Sequence, residues 1–200
     1  MNTGANPDRC AAAHAAPCAP SPWVCRWARL IRQGGGVLDL ACGSGRHLRW
    51  LAGAGFAVTG VDRSAEAVRG LDGLATLVVA DLEAGPWPLM QGGQPQTFDG
   101  VVVTHYLWRP RLAQVAQSLA PGGVLIYETF AIGQASVGRP SNPDFLLQPG
   151  ELLRAFDGLR VVAYEDGFLQ APDRFVQRLC AVRPAAVPDP TPARYPLWVE

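Results

Sequence analysis

The chain has 200 residues, 48% of them hydrophobic, with a mean hydropathy of +0.08, which is enough for one domain with a substantial core. Its 17 acids balance 17 bases, all of them arginine, and no arginine strip tracks a phosphate backbone; nucleic acid is disfavoured as the principal substrate and a small molecule fits better. No apolar run reaches the roughly 18 residues that span a bilayer, and the N-terminus lacks the apolar stretch of a signal peptide, so no membrane association and a cytoplasmic location are expected.

Residues 1–20 are rich in Ala, Pro and Asn without an apolar period, and read as a disordered segment ahead of a domain at 21–183 and a Pro-rich tail at 184–200. Five cysteines, an odd number with no Cys-x-x-Cys pair, argue against a disulfide framework. Cys10, His14 and Cys18 would share one helical face, with Cys25 as a fourth ligand. Pro17 and the Ala-rich context speak against zinc there, and no metal is expected. Ser21 and Pro22 read as N-cap and first helical residue, after which Trp23, Trp27, Leu30 and Ile31 recur at helical spacing until Gly34. The two tryptophans are expected in the core, closure over a ligand being the alternative.

Residues 37–40 form an apolar strand interrupted by Asp39, followed by the small-residue run Ala41-Cys42-Gly43-Ser44-Gly45 and a helix whose inward stripe is Leu48, Leu51 and Ala52. Gly43 and Gly45 let the backbone approach a ligand, and the first amides of the helix point outward as donors. A dinucleotide fingerprint needs Gly or Ala three residues after Gly45, where Leu48 stands, which weakens an NAD-dependent oxidoreductase reading. The second strand, 57–61, ends at Asp62, whose carboxylate can accept from both hydroxyls of a ribose.

Ser64 is expected to cap a short helix through about residue 71, and a third strand at 75–80 ends at Asp81. Pro86, Pro88, Gly92, Gly93 and Pro95 predict a loop over the next stretch. A fourth strand at 98–104 exits at His105 and Tyr106, a helix covers about 111–119, Pro121-Gly-Gly predicts a turn, and a fifth strand ends at Glu128. Residues 131–149 form a long insert at the carboxyl edge of the sheet, where such loops tend to be lids. A helix at 150–156 and an antiparallel pair at 159–164 and 174–182 complete a doubly wound α/β sheet.

The run Asp39-Leu-Ala-Cys-Gly-Ser-Gly45, with Asp62 downstream, resembles the S-adenosylmethionine loop of class I methyltransferases; Ala41 stands where many of them have glycine. Residues 42–62, with Arg46 directly after the loop, are similar to the tellurite-resistance TehB branch, and so is Gly150-Glu-Leu-Leu-Arg-Ala-Phe156. The resemblance covers about 37–183, departing near 167–174, where Phe-Leu-Gln-Ala-Pro replaces a longer polar hairpin carrying a histidine. It implies a Rossmann-like methyltransferase fold: a seven-stranded, mostly parallel sheet of order 3-2-1-4-5-7-6 with the last strand antiparallel. It also implies S-adenosylmethionine as methyl donor. By position, Asp62 takes the ribose, Gly43 and Gly45 face the methionine part, Asp81 and Leu82 face the adenine, and His105 lies near the methionine moiety. Asp39, Ala41, Cys42, Arg46 and Arg63 complete the implied cofactor set.

Methyl transfer from a sulfonium is an in-line displacement with an activated leaving group, so alignment and exclusion of water matter most, and a base is needed only for acceptors such as hydroxyls. The candidate catalytic residues are His105, Tyr106 and Glu128. His105 and Tyr106 would orient the acceptor or remove its proton, with packing beside the cofactor as the alternative for His105. Glu128 would hold a cationic acceptor or pair with an arginine. Arg46 would hold the cofactor carboxylate or pair with Asp39 or another acid. Cys42 is expected to be a close-packed filler, and His47 a surface or packing residue. The expected function is S-adenosylmethionine-dependent methyl transfer to a small-molecule acceptor, the alternative being a cofactor-binding protein without turnover.

Overall fold

The computed structural model describes residues 19–185 and 193–197. Cys10, His14 and Cys18, with most of the expected N-terminal segment and part of the C-terminal tail, lie outside the described residues. Seven strands form one sheet: β1 Gly36–Leu40, β2 Ala57–Asp62, β3 Thr76–Val79, β4 Phe98–Thr104, β5 Leu119–Phe130, β6 Arg160–Leu169 and β7 Arg174–Val182. Their order is 3-2-1-4-5-7-6, as the resemblance implies. β1 pairs in parallel with β2 and β4, β2 with β3, and β4 with β5, whereas β7 runs antiparallel to both β5 and β6. The first residue of β7 therefore sits at the same edge as the carboxyl ends of the others.

Side chains alternate across the sheet, so each strand feeds two cores. On one face Val37, Val102, Val124, Ile126, Cys180 and Val182 pack against α1, Pro22–Trp27, and α2, Arg46–Gly53. Leu48 and Leu51 of α2 are fully buried there, each worth about 2 kcal/mol of transfer free energy. On the other face Leu38, Leu40, Val101, Val103, Leu125 and Tyr127 meet α3, Leu112–Gln117, α4, Glu151–Ala155, and Trp87 and Leu89 from the loop after β3. Trp23 and Trp27 are core residues, packed edge to face at 5.6 Å between ring centroids.

The alternation that buries Val37, Val102, Val124, Ile126 and Val182 also puts Asp39, Thr104, Glu128 and Arg178 on the α1 and α2 face as these strands reach the carboxyl edge. Thr104 stands opposite Glu128, and Glu128 opposite Arg178, in the strand register. One apolar surface thus ends in a polar row.

Three expectations are corrected. Residues 64–71 form turns rather than a helix: the Ser64 hydroxyl does accept the Ala67 amide at 3.1 Å, but Gly70 adopts φ +84°, leaving too few residues to extend a nucleus. The loop after β3 contains a small hairpin, Met90–Gln91 with Gln94–Pro95, turned by Gly92 and Gly93, both at positive φ. The turn at Pro121 to Gly123 lies inside β5 as an irregularity, Phe98 pairing with Leu119 and Gly100 with Val124.

The 131–149 insert is strapped down. The buried Gln134 side chain accepts from the Phe175 amide at 2.9 Å and donates to the Arg139 carbonyl at 3.0 Å. Gln177 donates to the Gln148 carbonyl at 2.6 Å, and Arg109, after β4, donates to the carbonyls of Asp144 and Leu146 and to the Glu151 carboxylate. Among the described residues no helix is long and apolar enough to cross a membrane.

Candidate active site

β1 ends at Leu40, and the chain then bends through three left-handed residues, Ala41 at φ +54°, Gly43 at +55° and Gly45 at +78°. Only Ala41 carries a Cβ, and such strain at a non-glycine residue is characteristic of functional loops. A Cβ on Gly45 would lie 2.6 Å from Leu71 Cδ1, so that position is closed to a side chain twice over. A Cβ on Gly43 would meet nothing within 4 Å, so the loop faces open space there. The Asp62 carboxylate grips the loop from below: Oδ2 accepts the Gly43 amide at 2.8 Å and Oδ1 the Ser64 amide at 2.9 Å. Two amides, one on each carboxylate oxygen, fix the direction in which the group points. Cys42 is buried against Gly60, where an added Cβ would come within 2.9 Å of its Sγ.

Beneath the loop lies a closed polar cluster. Asp39 is 1% exposed and neither of its oxygens has a hydrogen-bond partner. Burial pushes its carboxyl up to about 8, against the pull of Arg46 and with Asp62 adding to the rise. His47, 2% exposed, sits above it: its Nε2 accepts the Ser21 amide at 3.1 Å, while Nδ1 is 3.5 Å from Thr104 Oγ1 and 3.9 Å from Asp39 Oδ2. Burial, with Arg46 and His105 nearby, holds the His47 imidazole down at about 3, so the ring is neutral and the contact with Asp39 is no ion pair. The Ser21 hydroxyl donates to Glu128 Oε1 at 3.1 Å, and Arg178 Nε lies 2.7 Å from Glu128 Oε2, in ionic contact although out of hydrogen-bond alignment. Of the two roles considered for Glu128, the structure fills the pairing with an arginine.

His105 leaves β4 at φ +52°, its amide tied to the Glu128 carbonyl at 2.9 Å and its ring stacked on Phe130 at 4.9 Å. Arg174, the first residue of β7, brings Nη1 within 3.5 Å of His105 Nε2. Burial, with Arg46 and Arg174, holds His105 at about 4, a neutral ring at physiological pH. The buried Nε of Arg174 has no hydrogen-bond partner, and no carboxylate pairs with this guanidinium among the described residues. Arg46, half-buried at the first position of α2, likewise forms no ion pair among them. Tyr106 turns elsewhere: burial raises its phenol well above the usual range, with Glu83 and Asp81 adding to the rise, and its hydroxyl has no partner. The three catalytic candidates therefore do not converge. His105 faces Phe130 and Arg174, Tyr106 stands beside the loop after β3, and Glu128 lies under α1.

At the β3 end, Asp81 is exposed and its carboxylate accepts the Glu83 amide at 2.9 Å, while Leu82 buries its side chain and offers its carbonyl to Arg111 at 2.9 Å. Arg63 is exposed beyond Asp62. Among the described residues no cluster of His, Cys, Asp or Glu could hold a metal ion. Two residues at this edge were not singled out by the sequence reading. Thr104 is the fourth-strand residue on Asp39's face. Arg174 carried a signal: it opens the one strand running against the rest, which puts it at the ligand edge.

Residues 37–123 match the methyltransferase domain family. The fold is shared with TehB from Haemophilus influenzae (TM-score 0.64, 20% identity, covering 80% of this chain and 61% of that one). It is shared also with an S-adenosylmethionine-dependent methyltransferase from Methanosarcina mazei (0.63, 16%, covering 84% and 100%). A third likeness is to the N-methyltransferase NodS from Bradyrhizobium japonicum (0.61, 17%, covering 80% and 93%). At these identities the likenesses establish the fold alone, and the chain spans about three fifths of the TehB chain. No protein of curated function matches it in sequence.

The domain match over residues 37–123, the strand order and the glycine loop agree on one fold, the Rossmann-like sheet of the class I methyltransferases. That fold is shared as well with a TehB-like S-adenosylmethionine-dependent methyltransferase from Corynebacterium glutamicum (TM-score 0.56, 22% identity, covering 78% of this chain and 86% of that one). The residues present suit S-adenosylmethionine: among the described residues Asp39 has no hydrogen-bond donor, which an ammonium would supply, Arg46 forms no ion pair, and Asp62 is already aimed.

Proposed function

We propose that this protein is an S-adenosylmethionine-dependent methyltransferase and that its acceptor is a small molecule carrying an anionic group. The observation that supports the reading most directly is Arg174, a partly buried guanidinium without a carboxylate partner, placed beside His105 at the edge where the glycine loop opens. Desolvating a cation without compensation is unfavourable, and an anionic ligand is the compensation the site lacks. S-adenosylmethionine supplies an activated methyl group on a sulfonium, and transfer breaks the carbon–sulfur bond with its electron pair left on sulfur. In this reading Asp62 accepts from the ribose hydroxyls, Asp39 accepts from the ammonium and Arg46 pairs with the carboxylate of the methionine part. His105, neutral and weakly basic, orients the acceptor rather than deprotonating it, which suits thiolates and oxyanions whose lone pair is already available. Phe130, stacked beneath it, fixes the ring and excludes water.

Transfer of labelled methyl from S-adenosylmethionine into a panel of mercapto-carboxylates, selenium and tellurium oxyanions, and neutral thiols and phenols tests the proposal. Label is expected in anionic acceptors, and Arg174→Ala is expected to raise their KM about 10- to 100-fold, the worth of a charge-assisted bond. Equal labelling of neutral acceptors by wild type and variant would overturn it.

A further inference from the structure

His47 has no assigned part in the reaction, yet its buried side chain joins the start of the first helix to Thr104 and Asp39 beneath the glycine loop. Its two ring nitrogens have different partners. The Ser21 amide can only donate, so Nε2, 3.1 Å away, must be the unprotonated nitrogen, and the single proton of the neutral ring sits on Nδ1. That N–H faces Thr104 Oγ1 at 3.5 Å and Asp39 Oδ2 at 3.9 Å, and Asp39 has no donor of its own. The titratable groups around the ring are Asp39 on β1, Arg46 on its own helix and His105 after β4; burial above all, with Arg46 and His105 adding to it, keeps the ring neutral. Ser21 is itself fixed, its hydroxyl accepting the Trp23 amide at 3.2 Å and donating to Glu128.

We propose that His47 is a positioning residue for the cofactor: the Ser21 amide selects its Nδ1–H tautomer, which steadies Asp39 and Thr104 beneath the glycine loop and couples the start of α1 to cofactor affinity. The inference rests on S-adenosylmethionine as cofactor and not on the nature of the acceptor. A bond of 3.5 Å is weak and one of 3.9 Å is none, so the ring stands just short of Asp39. A sub-ångström shift of the carboxylate would complete the contact when an ammonium arrives on its other side.

Glutamine at this position can reproduce both halves of the ring's role, its carbonyl accepting from Ser21 and its amide donating toward Asp39; leucine can reproduce neither. Calorimetry with S-adenosylhomocysteine should show His47→Leu binding about tenfold more weakly than wild type, with His47→Gln within about threefold of wild type. Nitrogen NMR of histidine-labelled wild type should show His47 as the neutral Nδ1–H tautomer down to pH 5 and should register ligand binding at that ring. Leucine and glutamine variants weakened alike, a leucine variant binding as wild type does, or an Nε2–H tautomer would each overturn the inference, the last even if the leucine variant does not fold. Failure of wild type to bind S-adenosylhomocysteine would be a different result, overturning the cofactor assignment itself and this inference with it.

Discussion

The buried Asp39 and His47 and the half-buried His105 have native proton affinities that differ from those of the unfolded chain, so they tie stability to pH. The two imidazoles titrate near 3 and 4 when folded and at 6.5 when not; between those values the unfolded chain holds about two more protons, and stability rises with pH. The Asp39 carboxyl titrates near 8 when folded and at 3.8 when not, so its stabilising effect as a neutral acid is lost as pH rises through that window. Below 6.5 the histidines prevail and above it Asp39 alone remains, so the melting temperature of the ligand-free enzyme is expected to peak near pH 6.5. The limbs should have slopes on the order of 1 kcal/mol per pH unit. Thermal melts of Asp39→Asn should lose the decline between pH 6.5 and 8; a wild-type melting temperature that climbs over that interval would contradict the assignment.

Among elements, we propose that the 131–149 insert forms the wall of the acceptor side; its position is set by side chains from two other places, Arg109 after β4 and Gln177 on β7, and by its own Gln134 reaching β7. The Arg109 guanidinium spends nearly all its donors on two carbonyls of the insert and on Glu151, at 2.6 to 3.1 Å. An alanine there leaves those carbonyls to water and frees residues 144–151 to move. Arg109→Ala is expected to speed amide hydrogen exchange across that segment and to raise the acceptor KM severalfold, while the affinity for S-adenosylhomocysteine, bound on the β1 and β2 side, stays within about twofold. Exchange confined to the termini, or an equal loss of cofactor affinity, would show that the insert is not the acceptor's wall.

For the molecule as a whole, what was legible in the sequence is what depends on neighbours in the chain. The loop at Gly43 and Gly45, the carboxylate of Asp62 at the end of β2, the N-cap at Ser21 and the strand alternation are local patterns, and the structure reproduces them with the strand order. The burial of His47 was not legible, because it depends on Ser21, 26 residues before it, and Thr104, 57 residues after it. Glu128 posed the same difficulty: its carboxylate is settled by Arg178 from an antiparallel strand and by Ser21 from the opposite end of the chain. The short helix expected from Ser64 failed for a local reason, a left-handed Gly70 that stops the first turns from propagating. The polar row Asp39, Thr104, Glu128 and Arg178 emerges only from the register of four strands, which no single segment encodes.

We propose that the bend after β1 and the carboxylate at the end of β2 form the seat of S-adenosylmethionine. Titration calorimetry of S-adenosylhomocysteine into wild type and Asp62→Ala tests it most directly, with circular dichroism to confirm that the variant is folded. Wild type should bind one molecule per chain, and the folded variant should bind at least about 100-fold more weakly, having lost the paired acceptor for the ribose and the anchor of the Gly43 amide. No heat of binding to wild type, or equal affinity in the two proteins, would place the cofactor elsewhere or rule it out.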